Sequence, residues 1–404
     1  MTEVRDVLIV GAGPAGATLA ALLAAHGWDV LLLDKAEFPR DKTCGDGVSP
    51  RALRVLERLG VAADVLAAGF RIGQLRLFSP NGDSFQCPLP PADGLPDFAV
   101  VLPRRRLDDL IRARAVAAGA DFRPRVTATD LLREDGHFAG VRAQTSDGPA
   151  EFRARVVVFA TGASSAVLER AGLLAEPPAY GRAARTYYEN VRGLADAVEF
   201  HFDSVPLPGY GWVFPTSPTT ANVGAGYFAR AGRPPQRSSP RQAFDEFVAN
   251  PHIAAMLADA RPAAPVKGFP LRFDFATAPT AFPGLLLIGE ACGLVNPLTG
   301  EGIDYAVESA EVAAGVIDQA LRSSAPPERT AERHRRALHD RFLRAFVGIG
   351  RVRDLYFQPW VLNRFVRVAN KNEALKLLLV NIALGHADPL SALTPGTLWK
   401  VAWG

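Results

Sequence analysis

Two apolar runs with different periods open the chain. Val7-Leu8-Ile9-Val10 is continuous rather than alternating, as expected of a strand buried on both faces of a parallel sheet, and it stops at Gly11. Ala15 to Ala25 is rich in strong helix formers, Pro14 suits a first turn that has no use for an amide proton, and Gly27 ends the segment. Val30 to Leu33 supplies a second strand. Val126 to Leu132, Phe138 to Gln144 and Phe152 to Phe159 then read as a meander turned at Asp135-Gly136 and Asp147-Gly148. From Tyr187 to Phe273 alternating strands carry many aromatic residues, which predicts a mixed sheet. Leu285 to Ile288 returns to the buried-strand pattern, Asp304 to Ala320 is helical, and the chain from Leu321 onward reads as a helical cap.

With 404 residues the chain exceeds one simple core, so two or more lobes are expected. Its 48% hydrophobic and 22% charged residues describe an ordered globular protein. The net charge of +3 is mild, and basic residues are interleaved with acidic ones, which argues against a nucleic-acid partner. Cys44, Cys87 and Cys292 are too few and too far apart for a disulfide framework or a zinc site; no metal is expected, and a reducing, cytoplasmic location fits. Val7 to Ala25 has no charge over 19 residues, but Gly11, Gly13, Pro14 and Gly16 interrupt it, and Glu3 and Asp6 spoil a basic leader.

Those interruptions carry chemistry. Gly11-Ala12-Gly13-Pro14-Ala15-Gly16 lies between a strand and a helix, where a dinucleotide fingerprint belongs. Gly11 makes the tight turn, Gly13 lets a pyrophosphate approach the backbone, and Gly16 lets helix and sheet pack closely, while the helix amino end offers free N–H groups. Asp34, at the end of the second strand, is placed to accept hydrogen bonds from an adenosine ribose, with Lys35 beside it. The fingerprint alone does not distinguish the nicotinamide dinucleotides from FAD.

Sequence far downstream does. Gly289-Glu290-Ala291-Cys292-Gly293 follows the late strand, and Asn296-Pro297-Leu298-Thr299-Gly300-Glu301-Gly302-Ile303 precedes the late helix. These blocks resemble the FAD-dependent class that includes p-hydroxybenzoate hydroxylase, flavin halogenases and geranylgeranyl reductases. The resemblance implies that Glu290 reaches the ribityl or pyrophosphate region, that Pro297 shapes the turn, and that amides of Gly300, Gly302 and Ile303 meet the pyrimidine edge of the flavin at a helix amino end. The family commonly has Asp where this chain has Glu290. Arg104, in Arg104-Arg105-Arg106-Leu107-Asp108, and Thr161-Gly162 match two further FAD-contacting segments, and Val126 is expected beside the adenine.

A narrower resemblance lies in the second lobe. Tyr210-Gly211-Trp212-Val213-Phe214-Pro215, followed by Asn222-Val223-Gly224-Ala225-Gly226, is similar to the Tyr-x-Trp-x-Phe-Pro and Asn-Val/Ile-Gly-x-Gly segments of geranylgeranyl and menaquinone reductases. Lys42-Thr43-Cys44-Gly45-Asp46-Gly47-Val48-Ser49-Pro50-Arg51-Ala52 matches a loop of the same family, so the likeness runs from Asp6 to Ala320. It implies an α/β protein: a Rossmann-type FAD-binding domain in three parts (1–72, 104–178, 281–324), substrate-domain strands at 73–103, a mixed-sheet substrate domain at 179–280 and a C-terminal helical region at 325–404. It also implies that Tyr210 and Trp212 border the substrate cavity and that Cys44 and Gly45 lie close to the flavin, with Cys44, Tyr210 and Trp212 as the catalytic candidates.

The implied chemistry is saturation of carbon–carbon double bonds in a prenyl chain of a lipid or quinone, or in a similar polyene, by hydride from reduced FAD. No second nucleotide fingerprint follows the first, so the electron donor is a transient NAD(P)H or a protein such as reduced ferredoxin. An oxygen-using monooxygenase or halogenase shares the fold and is the main alternative, but halogenases carry a Gly-Trp-x-Trp-x-Ile-Pro block and this chain has one tryptophan between Tyr210 and Pro215. A prenyl-lipid carrier without catalysis is a third reading. In the tail, the apolar stretch Leu375 to Leu384 with Lys376, Trp399 and Trp403 leaves two readings open: a helix packed on the core, or peripheral contact with a membrane.

Overall fold

The computed structural model describes residues 4–175, 178, 180–228 and 239–403. The strand Val4–Val10 sits between the parallel strands Val30–Leu33 and Gly148–Phe159, and Leu285–Leu287 and Asp121–Arg123 extend the parallel sheet on either side. Val7, Leu8 and Ile9 are fully buried, because helices cover one face of this sheet and the meander Thr127–Glu134, His137–Thr145 and Gly148–Phe159 lies over the other. Asp135 and Gly136 both take positive φ (46° and 84°), as the first predicted turn requires.

The helix Pro14–Ala25 has Gly13 as its cap and Pro14 in its first turn. It is wedged between the helices Arg104–Ala117 and Ile303–Arg322, which is why almost every residue along it is buried and why its small side chains do not form an amphipathic stripe. The late strand and helix are thereby packed directly against the fingerprint helix, although some 280 residues separate them in the chain.

A second, eight-stranded sheet runs in the order Arg261–Pro262, Tyr180–Glu189, Thr220–Phe228, Gly209–Pro215, Ala197–His201, Gln74–Phe78, Ser84–Pro88, with Lys267–Arg272 paired to Tyr180–Glu189. It is antiparallel except where Ala197–His201 meets Gln74–Phe78, so it is mixed as expected. The aromatic region differs from the sequence expectation in two ways. Its first strand begins at Tyr180, and the helices Pro240–Val248 and Pro251–Met256 interrupt the strands; Phe244 and Phe247 bury their rings against the sheet at helical spacing, a period hidden by the strands around it. A three-stranded sheet of Gly47–Val48, Phe70–Ile72 and Ala99–Val101 joins the two halves.

The tail is helical. Pro327–Leu338, a single wide turn at His339–Leu343 and Arg344–Tyr356 run on into Pro359–Ala369, Glu373–Ala383 and Pro395–Trp403. Tyr356, Phe365, Val366, Leu375 and Val380 share one core with Phe85, Trp212 and Phe214 of the second sheet, so the apolar stretch of the tail is packed on the protein. Trp399 is exposed, the side chain of Trp403 lies outside the described residues, and among the described residues no helix is long and apolar enough to cross a membrane.

Candidate active site

A cavity of about 1110 Å³ runs from the Gly11 turn past the Cys44 loop to the Gly300 turn and on between the second sheet and the tail helices. At its first end the glycines have separable roles. A Cβ on Gly11 (φ +105°) would lie 2.3 Å from the Ala160 carbonyl oxygen, and one on Gly16 would lie 1.9 Å from the oxygen of Gly11. Neither clash can be relieved by a side chain. On Gly13 a Cβ would meet only the guanidinium tips of Arg40 at 3.6 Å and Arg104 at 3.9 Å, so this glycine faces space in front of a helix amino end with two cations beside it.

Both cations are held by Asp108, which is fully buried. Arg104 donates to its two oxygens from Nε at 2.6 Å and Nη2 at 2.7 Å, and Arg40 Nη1 donates to Oδ2 at 2.8 Å. Burial penalises the charge on Arg104, but the Asp108 carboxylate outweighs that and raises its pKa above the ordinary value. Asp34 is buried at the second strand's end; Oδ2 accepts from the Ala12 amide at 2.7 Å and Oδ1 from the Ala36 amide at 2.8 Å. The acid therefore braces the glycine turn, with further lone pairs directed at the cavity it lines. Lys35 follows it, exposed, and Val126 donates its amide to the Asp34 carbonyl at 2.9 Å.

The late segment meets the early one closely. A Cβ on Gly289 (φ +59°) would lie 3.0 Å from the Ala15 Cβ, and one on Gly162 would lie 3.4 Å from Glu290 Oε2. Glu290 accepts from Lys42 Nζ at 2.8 Å and from the Arg272 amide at 3.1 Å, so its carboxylate ties the Cys44 loop to the second sheet. In the Gly300 turn, Gly300 N–H donates to the Asn296 carbonyl at 2.9 Å and Ile303 N–H to Glu301 Oε1 at 3.0 Å. The Gly302 N–H has no hydrogen-bond partner among the described residues. Pro297 is buried beneath this turn.

Between these ends lies the loop that carries Cys44. Burial raises the Cys44 pKa despite Arg104 and Lys42 nearby, which keeps a thiol rather than a thiolate there. Asp46, with φ +67°, is fully buried. It accepts from the Tyr187 hydroxyl at 2.6 Å, from Asn222 Nδ2 at 2.7 Å and from the Arg104 amide at 3.2 Å. Burial still pushes its pKa up to about 6. Asn222 also donates to the Cys44 carbonyl at 2.7 Å and accepts from Trp212 Nε1 at 2.9 Å. Arg185, whose side chain is fully buried, lies 4.4 Å over the Tyr187 ring and donates to Asp41 at 2.6 Å and to the Lys42 carbonyl at 3.0 Å.

Beyond the loop the cavity becomes an apolar chamber. Phe200, Tyr210, Trp212 and Phe214 form one wall, their ring centroids 5.2 to 6.4 Å apart, and Phe365, Leu379 and Leu384 of the tail form another. The Tyr210 hydroxyl donates to the Thr299 carbonyl, joining this wall to the Gly300 turn.

Of the residues expected from sequence, Gly11, Gly13, Pro14, Ala15, Asp34, Lys35, Cys44, Gly45, Arg104, Val126, Thr161, Gly162, Tyr210, Trp212, Glu290, Gly300, Gly302 and Ile303 all line the cavity. Gly16 and Pro297 lie behind its surface. The sequence reading missed the polar cluster of Asp46, Tyr187 and Arg185 and the carboxyl of Glu301. Asp46 and Glu301 sit inside motifs that were recognised, but nothing in a single sequence shows which side chains of a motif turn inward.

The FAD binding domain family matches residues 4–345. A menaquinone reductase of Mycolicibacterium smegmatis is 34% identical over 414 aligned positions, covering 100% of this chain and 97% of its own length. The chain belongs to the FAD-dependent geranylgeranyl and menaquinone reductase family. A second relative of this reductase, digeranylgeranylglycerophospholipid reductase 1 of Methanopyrus kandleri, is 34% identical over 78% of the chain and 81% of the relative. In fold, the reductase is similar to a geranylgeranyl bacteriochlorophyll reductase-like protein of Thermoplasma acidophilum, with a TM-score of 0.83, 24% identity and 99% of each chain covered. FAD is the cofactor, and the site suits it: the Gly13 cradle with its two guanidinium groups fits a pyrophosphate, and the unpartnered Gly302 amide fits an acceptor on a flavin edge.

Proposed function

We propose that the enzyme saturates double bonds of a prenyl chain, carried by a quinone or a lipid, inside the apolar chamber. The observation that carries this reading is the continuity of one cavity, whose lining changes from glycine turns and paired charges to aromatic and aliphatic side chains. Named relatives that reduce menaquinone and digeranylgeranyl lipids support the same substrate class.

In this reading Gly11, Gly13 and the amino end of Pro14–Ala25 hold the pyrophosphate, Asp34 the ribose, Val126 the adenine, and the Gly300 turn the flavin. Bound, reduced FAD supplies hydride. The protein's own residues do the rest. Tyr210 and Trp212 are fixed by the Thr299 carbonyl and the Asn222 carboxamide, so their rings orient a chain without rotor freedom to lose. The neutral Cys44 thiol and the Phe200–Phe214 wall exclude water. Electrons come from a transient donor, NAD(P)H or reduced ferredoxin. Exposed Trp360 and Trp399 on the tail support peripheral contact with the bilayer that supplies the substrate.

The test is anaerobic: FAD-loaded enzyme, reduced by dithionite, is mixed with geranylgeraniol, geranylgeranyl diphosphate and a prenylated menaquinone, and products are weighed by mass spectrometry. A gain of two hydrogens in the prenyl chain per turnover, counted after the naphthoquinol has been reoxidised in air, is expected for at least one of them. No saturation of any of the three, or a halide-dependent product under air, would overturn the reading.

A further inference from the structure

Saturating an alkene requires a proton as well as a hydride, and resting on the reading above, we infer that Glu301 is the acid that delivers it. The inference comes from asking which acidic group on the chamber wall has both a proton to give and a free atom to give it from.

Among the described residues, ten acidic side chains line the cavity. Asp41 and Glu290 are ion-paired with Arg185 and Lys42, Asp34 accepts two amides, the Tyr356 hydroxyl donates to the Ala392 carbonyl, and the Tyr227 phenol is a weak acid whose pKa burial raises further. The other five are Cys44, Asp46, Tyr210, Glu301 and Asp304. Asp46 accepts three hydrogen bonds through its two oxygens and is engaged as a carboxylate. Tyr210 gives its hydroxyl proton to the Thr299 carbonyl, and burial raises its pKa further. Cys44 is a thiol whose pKa burial raises, a poor acid toward carbon. Asp304 accepts from the Tyr305 amide at 2.7 Å and faces Arg51 Nη1 at 3.3 Å, so it is held by a cation.

Glu301 differs from all four. Its Oε1 accepts from the Ile303 amide at 3.0 Å and the Asp304 amide at 3.4 Å, which fixes the carboxyl at the start of the helix Ile303–Arg322. Its Oε2 has no hydrogen-bond or ion-pair partner among the described residues. That oxygen turns toward the Cys44 loop: a Cβ on Gly47 would lie 3.9 Å from it and 4.0 Å from Phe214 Cε2, so the carboxyl borders the aromatic wall. The titratable groups around it are Asp304, with Arg51 and Glu308 behind it, and the neutral Tyr210 phenol across the chamber. Burial, and then the negative charge of Asp304, push the Glu301 pKa up to about 8 against the pull of the two amides and Arg51. The carboxyl is therefore protonated at neutral pH.

The step balances. The Oε2–H bond breaks and its proton forms a C–H bond with the π electrons at one alkene carbon. Hydride from reduced FAD forms the C–H bond at the other, so the alkene gains two electrons, the flavin loses two, and Glu301 is left as a carboxylate. Asp304 then disfavours that second negative charge and draws a proton back from solvent.

The experiment compares wild type with Glu301→Gln, both FAD-loaded. Gln keeps an oxygen for the two amides, so FAD content and the rate of flavin bleaching by dithionite stay as in wild type. Reoxidation of the reduced flavin by geranylgeranyl diphosphate, which carries no quinone to oxidise the flavin directly, falls at least ~100-fold, the usual scale of a lost general acid. In wild type that reoxidation rate declines as pH rises through about 8, whereas the variant shows no such decline. Infrared difference spectra taken without substrate show a protonated-carboxyl band that titrates through the same pH and is missing in the variant. Wild-type reoxidation by Glu301→Gln, or the absence of that titrating band in wild type, would overturn the assignment. A wild type that saturates no alkene would instead overturn the reading of function.

Discussion

The carboxamide of Asn222 donates to Asp46 Oδ2 at 2.7 Å, joining a strand of the second sheet to the loop that carries Cys44. The same side chain holds the Cys44 carbonyl and the Trp212 indole, so one residue satisfies three buried polar groups. Asn222→Ala strands the Cys44 carbonyl and the Trp212 indole and leaves Asp46 with two donors in place of three; unsatisfied buried groups cost roughly 1–3 kcal/mol each. The expected result is a loss of roughly 2 kcal/mol or more in urea unfolding of the FAD-loaded protein. A loss below roughly 1 kcal/mol would show that the network does not hold the loop.

The fingerprint glycines are predicted to separate by phenotype. Gly16→Ala drives a methyl into the Gly11 carbonyl, so the variant should unfold at lower denaturant by roughly 2 kcal/mol or more and retain little FAD. Gly13→Ala meets only the ends of two arginines and should keep wild-type stability within roughly 0.5 kcal/mol while losing FAD affinity. Absorbance of bound flavin after gel filtration, beside the unfolding midpoint, reads both effects.

His201 gives a pH dependence with a definite sign. The ring is fully buried, stacked 4.2 Å from Phe78, with Nε2 3.2 Å from Glu199 and Nδ1 3.4 Å from Asp203; Arg76 and His252 also face Glu199. Burial alone would lower its pKa, but the two carboxylates prevail and raise it above 6.5. A raised folded-state value means that the contribution to stability is complete below the unfolded value near 6.5 and is lost as pH rises through the folded one. Thermal melts at increasing pH should show that decline in wild type and a flatter profile in His201→Gln. Identical profiles would rule the assignment out.

The tail helices are predicted to set a limit on substrate length. Leu379 and Ala383 are half-buried residues of the chamber wall, so an indole there fills space without disturbing the core. Leu379→Trp and Ala383→Trp should lower kcat/KM for a geranylgeranyl chain at least ~10-fold relative to a shorter geranyl chain, by loss of transition-state binding. An unchanged ratio would mean that the chain does not reach these helices.

Local physics made some elements readable and left others hidden. Val7 to Val10, the Gly11–Gly16 turn and Pro14–Ala25 were legible because strand period, glycine placement and helix-forming residues agree with one another. Phe244 and Phe247 were not, since two short helices among aromatic strands leave too few turns for a period to emerge. The cavity's glycines were visible as backbone requirements. Arg185 and Tyr187 were not, because their partners Asp41 and Asp46 lie in a distant loop that only the folded chain brings to them, and the orientation of Glu301 is set by a local turn that no periodicity marks.

Every tail residue that lines the chamber, from Val352 to Leu384, lies beyond the FAD binding domain match at residues 4–345. The cofactor-binding turns and the far wall of the chamber are thus encoded in separate stretches of one polypeptide. Exchanging the tail for that of another member could retune which hydrocarbon is accepted while the flavin's grip, and with it the reducing power, stays as it was.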